Sequence, residues 1–136
     1  MGETKYDLLY SDLGTAILSF QQSLEIKFEK FTAIEQDTIL NGQVQKFEYN
    51  IELLWKLLKA YFYEWREVRF QYPKEVIKAY FQEEKIDEET FLILNDALDS
   101  RNLLSHVYKE DIFRTIHPKL KSYAGAIATT YASIKP

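Results

Sequence analysis

Apolar residues recur every three or four positions along most of the chain, which is the pattern of amphipathic α-helices. The first series predicts a helix over about residues 6 to 30. Its members are Tyr10, Leu13, Ile17, Phe20, Leu24, Phe28 and Phe31. A second series follows Asp37, a residue type that often caps a helix N-terminus, so a long helix is predicted from there. Its members are Val44, Phe47, Ile51, Leu54, Leu58, Tyr61 and Trp65.

Three more helices are predicted in the second half of the chain. Pro73 suits a first helical turn, where its missing N–H costs nothing, and it opens a third helix over about residues 73 to 84. Asp87 is predicted to cap a fourth helix, which ends in a polar segment. A fifth helix is predicted over about residues 111 to 133, where Pro118 either kinks the helix or marks its true start.

The pattern contains no alternation typical of strands. The chain has four glycines and three prolines, and no internal repeat or linker interrupts the helical series. A chain of 136 residues is the size of one ordinary domain. We therefore expect an all-α helical bundle, with residues 1–136 forming a single domain.

Composition narrows the chemistry that this bundle can support. The absence of cysteine excludes disulfides and thiolate metal sites, and the only two histidines, His106 and His117, lack a metal-ligand spacing. We expect neither a metal nor a cofactor. The net charge of −4 opposes nucleic acid in bulk, so any contact with RNA must be local. No apolar stretch suits a signal peptide or a membrane span, and a cytoplasmic location is expected.

The segment Arg101-Asn102-Leu103-Leu104-Ser105-His106-Val107-Tyr108 carries the most informative chemistry. Arg101 is a permanent cation suited to phosphate, and His106 can exchange protons near neutral pH. Asn102, Ser105 and Tyr108 add hydrogen-bonding groups. These groups could cleave RNA without a metal, because an imidazole can move the protons while a guanidinium stabilises charge on the phosphate.

Helix geometry complicates this hypothesis. An arginine and a histidine five residues apart point about 140° away from each other on a regular helix. Either the helix ends near Ser105 so that His106 turns back, or two chains combine their segments in a homodimer, which is the interpretation that we favour. A structural role is the alternative: Arg101 forms an ion pair with Asp96, Asp99 or another carboxylate, and His106 ends a helix.

The segment from Asp99 to Tyr108 resembles the Arg-x4-His-x-Tyr signature of HEPN domains, in particular the nucleotidyltransferase substrate-binding family that includes the HepT toxins. The segment from Val44 to Lys59 resembles the second helix of that family, and Pro73 to Phe81 resembles its proline-started third helix. The order and spacing of these segments agree over about residues 8 to 130. Tyr72, which stands where a small capping residue is common, and Pro118 depart from the family pattern.

The resemblance implies a five-helix, mostly antiparallel up-and-down bundle that forms a homodimer and binds a minimal nucleotidyltransferase encoded nearby. In similar toxin–antitoxin pairs the HEPN chain is a metal-independent ribonuclease that is neutralised when its partner adenylylates the motif tyrosine. By position, Arg101 and His106 would be catalytic and Tyr108 the modified residue. Adenylate on Tyr108 would block the cleft by its bulk and its negative charge.

Glu48, Glu52 and Lys56 follow one another at intervals of four residues on the predicted second helix. This spacing indicates either a solvated face with one Glu52–Lys56 pair or the lining of the cleft. Trp55 and Trp65 are interpreted as core or dimer contacts. Two further functions stay open: a non-catalytic subunit that binds nucleotide or substrate for its partner, and a plain helical interaction module.

Overall fold

A computed structural model describes residues 2–106 and 110–134, without the side chains of residues 106 and 110. Helix α1 spans Lys5–Ser23. Thr4 caps it, because its hydroxyl accepts the Asp7 N–H at 3.1 Å while the Asp7 carboxylate accepts the Thr4 N–H at 3.1 Å. The core side of α1 carries the predicted residues Leu13, Ile17 and Phe20, all buried.

The predicted end of α1 near residue 30 is wrong. The helix ends at Ser23, and Phe28–Lys30 form a separate 3₁₀ turn. The side chain of the buried Gln43 donates to the Ser23 carbonyl at 2.7 Å, which satisfies a helix-end acceptor that a continuing helix would use itself. The apolar repeat continues past this point because Phe28 stacks on His117 from another part of the bundle, with ring centroids 5.1 Å apart.

Helix α2 is the longest, spanning the 34 residues Ala33–Arg66. The prediction that Asp37 caps it is wrong, since the cap is Thr32. The Thr32 hydroxyl accepts the Glu35 N–H at 3.3 Å and the Glu35 carboxylate accepts the Thr32 N–H at 2.8 Å. This reciprocal pairing places the cap more than one helical turn before Asp37. Glu67 ends the helix in the left-handed conformation, with φ of 57°.

Helix α3 spans Pro73–Gln82 and α4 spans Glu88–His106. Pro73 lies in the first turn of α3, as predicted. Tyr72 occupies the cap position without a small side chain, but the Glu75 carboxylate accepts its N–H at 3.2 Å. Asp87 caps α4 as predicted, because its carboxylate accepts the Thr90 N–H at 2.8 Å.

The fifth helical segment is divided in two around Pro118. Helix α5 spans Glu110–Ile116, a 3₁₀ turn spans His117–Lys119, and helix α6 spans Leu120–Ser133. The sequence left open whether the helix kinks at Pro118 or starts there. The structure combines the two, since helix precedes the proline and a new helix begins two residues after it.

Within the described residues every regular element is a helix or a 3₁₀ turn, so the predicted all-α bundle is confirmed. Helix α2 lies at its centre and contacts α1, α3, α4, α5 and α6. Its buried side includes Phe47, Leu54 and Leu58, each completely shielded from solvent. Because α2 packs against all of its neighbours, residues on its remaining face are positioned by the whole core. The site lies on that face.

Candidate functional site

The guanidinium of Arg101 on α4 meets the carboxylate of Glu52 on α2. Arg101 Nη2 lies 2.6 Å from Glu52 Oε2, and the two side chains are 29% and 26% exposed. On the other side of the carboxylate, Lys56 Nζ lies 3.7 Å from Glu52 Oε1. Glu52 therefore lies between two cations that come from different helices, in a position that solvent still reaches.

The contact between Arg101 and Glu52 is ionic rather than a well-directed hydrogen bond. Glu52 Oε2 is buried and accepts no aligned hydrogen bond from the described residues, although the guanidinium nitrogen is close to it. The strongest arginine–carboxylate pairs are bidentate, with two parallel N–H···O bonds, and this pair lacks that geometry. Partly exposed ion pairs of this kind stabilise a fold by about 1 kcal/mol or less. The Arg101 guanidinium thus stays partly exposed, while the carboxylate oxygen that it contacts is shielded from solvent.

The other predicted site residues have different relations to this pair. Ser105 lies one turn after Arg101, and its exposed hydroxyl donates to the Arg101 carbonyl at 3.4 Å. Asn102 is exposed and lies about 100° around the helix from Arg101, so the structure does not bring it to the pair. His106 is the last residue of α4. Its side chain and all of Tyr108 lie outside the described residues.

The predicted polar stripe on α2 is only partly joined to Arg101. Glu52 and Lys56 contact each other, and Glu52 contacts Arg101. Glu48 is half-buried one turn earlier on the same helix. Trp55 is half-buried about one turn after Glu52 on α2, its Nε1 is buried without an acceptor among the described residues, and Lys59 Nζ lies 5.8 Å from its ring centre. Trp65, by contrast, is 38% exposed, and its ring meets that of Tyr6.

The carboxylates first considered as partners of Arg101 are engaged elsewhere. Asp99 pairs with Lys74 at 2.6 Å. Asp96 accepts a hydrogen bond from Tyr123 at 2.5 Å and lies 3.2 Å from Lys119 Nζ. The Tyr123 hydrogen bond and the Lys119 ammonium together lower the pKa of Asp96 despite its partial burial. Of the partners that the structural alternative allowed, which were Asp96, Asp99 or another carboxylate, Arg101 thus pairs with another carboxylate, that of Glu52.

Sequence reasoning missed a buried polar network beside the motif. Ser100 and Tyr123 share a hydrogen bond of 2.7 Å, and Tyr123 also donates to Asp96. Burial and the Asp96 carboxylate raise the pKa of Tyr123. The four-residue spacing of Asp96 and Ser100 was the only signal in the sequence. This network fixes α4 against α6 and so holds the helix that carries Arg101.

The part of the chain that the structure describes contains no group of three or more histidine, aspartate or glutamate side chains placed to hold a metal ion. Within that same part, no helix combines the length and the apolarity that crossing a membrane requires. The candidate site thus consists of the Arg101–Glu52–Lys56 contact between α2 and α4, with Ser105 bonded to the Arg101 carbonyl one turn further along α4.

These features define an all-α bundle with a charged site between its second and fourth helices. The sequence matches the family described as nucleotidyltransferase substrate binding protein like over residues 8–136, and the chain belongs to this family. No curated protein sequence matches the chain significantly. A protein of Thermus thermophilus known from a crystal structure superposes with a TM-score of 0.75 and 23% identity, over 88% of this chain and 96% of that one. This similarity supports the helical-bundle fold.

Proposed function

We propose that this chain forms a homodimer, binds a minimal nucleotidyltransferase, and is a metal-independent ribonuclease of a toxin–antitoxin pair that the partner neutralises by adenylylating Tyr108. The family described as substrate-binding for nucleotidyltransferases supports the partnership. The observation that carries the proposal is the partly exposed Arg101 guanidinium, which contacts Glu52 between α2 and α4.

The proposed reaction uses Arg101 to hold an RNA phosphate and His106 to move protons. The imidazole takes the proton of a ribose 2′-hydroxyl as its oxygen bonds to phosphorus, and the bond from phosphorus to the 5′-oxygen breaks. The leaving 5′-oxygen then receives a proton from the imidazolium, and the other fragment ends in a 2′,3′-cyclic phosphate. Arg101 stabilises the charge that develops on the phosphate oxygens. A second copy of the chain supplies a second Arg101, which raises the local positive charge that the net charge of −4 does not provide.

RNA cleavage in the presence of a chelator tests the enzymatic part. We expect Arg101→Ala and His106→Ala each to lower the cleavage rate at least about 100-fold, as is typical when a group that stabilises the transition state or transfers a proton is removed. Lys121→Ala, an exposed cation on α6, is the matched control and should retain activity. Equal cleavage by all variants, or none by the unaltered chain, would refute the ribonuclease proposal.

Mass spectrometry of the chain co-expressed with the partner tests the proposed regulation. We expect added adenylate on Tyr108 and none on the Tyr108→Phe variant. The modified chain should cleave RNA more slowly, because the added phosphate is negatively charged and competes for the guanidinium. An unmodified Tyr108 beside an active partner would contradict this mechanism without affecting the ribonuclease test.

A non-catalytic role is the second candidate, and the Glu52–Arg101 contact also fits it. In that case the chain binds nucleotide or substrate through Arg101 and presents it to the partner nucleotidyltransferase. Saturable nucleotide binding that is weakened by Arg101→Ala, together with no RNA cleavage, would favour this function over the first.

A further inference from the structure

The exposed face of α2 continues beyond the Glu52–Arg101 contact as a series of cations and aromatic rings. Because each residue advances about 100° around a helix, Glu52, Lys56, Lys59 and Tyr63 all fall within a sector of about 60°. Lys56 is 48% exposed and Tyr63 is 51% exposed. The eleven steps of the chain from Glu52 to Tyr63 cover about 16 Å along the helix axis. The series therefore leads away from the candidate site along one side of the molecule.

Two of the cations in this series lie over aromatic rings. Lys59 Nζ lies 5.8 Å from the centre of the Trp55 ring. Arg69, from the loop after α2, places its guanidinium carbon 4.7 Å from the centre of the Tyr63 ring and donates to the Tyr63 hydroxyl at 3.2 Å. We name Lys56, Lys59, Tyr63 and Arg69 the α2 strip. It combines positive charge with an aromatic ring that remains half exposed beneath a guanidinium.

We propose that the α2 strip binds single-stranded RNA and leads it to Arg101. The inference rests on the proposed function and names the substrate class of that site. Surfaces that bind single strands combine cations along the backbone with side chains on which bases stack, and the strip has both. In a double helix the bases are paired and stacked on one another, so their faces are not available to stack on the Tyr63 ring. This favours a single strand over a duplex.

Nearby carboxylates limit the strength of this interaction. Glu52 lies in the same sector and pairs with Lys56. Glu64 and Glu67 are both exposed and follow Tyr63 closely in sequence. Glu64 lies about 100° around the helix from Tyr63, outside the sector of the strip. The chain as a whole is negatively charged, so binding must depend on the local cations. Weak binding with a clear dependence on salt concentration is the expected behaviour.

Fluorescence anisotropy with a labelled oligouridylate of about ten nucleotides, a length within the usual range of single-strand sites, tests the proposal. The chain carries His106→Ala throughout, so that the probe is not cleaved. We expect Tyr63→Ala to weaken binding about tenfold, as typical for the loss of one stacked base, while Tyr63→Phe keeps most of it. Lys59→Gln with Arg69→Gln should reduce the slope of log K against log salt by about 1.4.

A double variant with the same charge change elsewhere is the control. Lys27→Gln with Lys121→Gln removes two exposed cations outside the strip and should leave the salt slope nearly unchanged. Circular dichroism of each variant checks that the bundle is intact. Equal weakening by the control and the strip variants would show a non-specific charge effect and overturn the proposal. So would strip variants that weaken binding of the nucleotidyltransferase partner but not of RNA.

Failure of the strip and failure of the ribonuclease proposal give different results. If the chain with an intact His106 binds RNA through the α2 strip but never cleaves it, the α2 strip is an RNA-binding surface and the ribonuclease proposal is refuted. If the Lys59→Gln/Arg69→Gln and Tyr63→Ala variants cleave RNA with an unchanged KM, the ribonuclease proposal stands and RNA binding by the α2 strip is refuted. An increase in KM at nearly constant kcat is the result that we expect.

Discussion

Glu52 is the residue at which the charges of the candidate site meet. Its carboxylate contacts Arg101 on one side and Lys56 on the other, and it comes from the helix that packs against every other helix described. The position of the carboxylate is therefore set by the core, while its two cationic partners remain accessible to solvent. Any anionic ligand that bound Arg101 would compete with Glu52 directly.

A double-mutant cycle tests whether this pair forms in solution. Arg101→Gln should destabilise the unaltered chain more than it destabilises the Glu52→Gln variant, with a coupling of about 0.5 kcal/mol in the free energy of unfolding. Urea denaturation measures it. The Lys74–Asp99 pair is the control, since its side chains are 53% and 57% exposed and should couple more weakly. Additive effects of the Arg101 and Glu52 changes would contradict the contact.

The two contacts of Glu52 show which part of a site can be predicted from sequence. The four-residue spacing of Glu52 and Lys56 predicted their contact, and the structure confirms it. The contact of Glu52 with Arg101 joins residues far apart in the chain, and no local periodicity specifies such a pair. It depends on how α4 packs against α2. Sequence placed both residues among the site candidates without showing that they meet.

The ends of the helices depend on individual side chains more than on apolar periodicity. The apolar series correctly located α1 and α2 but extended α1 to residue 30 and started α2 too late. Thr32 and Glu35 carried the true start signal, a threonine followed three residues later by glutamate. The end of α1 depends on Gln43, twenty residues away, which the local pattern could not show.

Removing the Thr32 cap tests this assignment. Thr32→Ala should destabilise the first turns of α2 by about 1 kcal/mol, because the Glu35 N–H loses its acceptor. Amide hydrogen exchange of residues 35 and 36 should become faster. Asp37→Ala, at the position first predicted as the cap, should change that exchange much less. Similar acceleration by both variants would mean that the start of α2 is not held by Thr32.

Two helical glycines should respond in opposite ways to alanine. Gly42 in α2 has open space where a Cβ would lie, so Gly42→Ala should stabilise the chain by about 0.8 kcal/mol through helix propensity. At Gly14 in α1 a Cβ would lie 2.7 Å from the Tyr131 hydroxyl, which donates to the Tyr10 carbonyl at 2.9 Å. Gly14→Ala should instead destabilise the chain, because the new Cβ would push the Tyr131 hydroxyl away from that carbonyl. Thermal denaturation of the two variants compares them, and equal stabilisation would contradict the close approach.

At the scale of the whole molecule, a charged cluster joins the end of α2 to the connection between α3 and α4. The buried Tyr61 donates to Glu83 at 2.8 Å and accepts from Arg66 at 2.7 Å and from Lys85 at 2.8 Å. Burial, followed by the Glu83 hydrogen bond, raises the pKa of Tyr61 to about 12. Burial also raises the pKa of Glu83, but hydrogen bonds from Arg66 and Tyr61 outweigh it and lower that pKa below 4.5.

The cluster makes the free energy of unfolding depend on pH. Because the pKa of Glu83 is lower in the folded chain, its contribution is present above pH 4.5 and is lost as the pH falls through the folded value. Glu83→Gln should therefore cost about 1 kcal/mol at neutral pH and progressively less below pH 4.5. Urea denaturation across this range measures the effect. Glu84→Gln makes the same charge change at the exposed neighbour, and its effect on the free energy of unfolding should not shrink in this way as the pH falls.

The two tryptophans of the chain both belong to α2, and they differ in surroundings. The indole of Trp55 lies one turn from Glu52 and beneath Lys59, whereas Trp65 lies at the far end of the helix against Tyr6. Replacing Trp65 by phenylalanine would leave Trp55 as the single tryptophan, one helical turn from Glu52. Its emission, excited where tyrosine absorbs little, would then follow ligand binding at the candidate site without an attached dye, and stopped-flow records of that emission would give the binding rate.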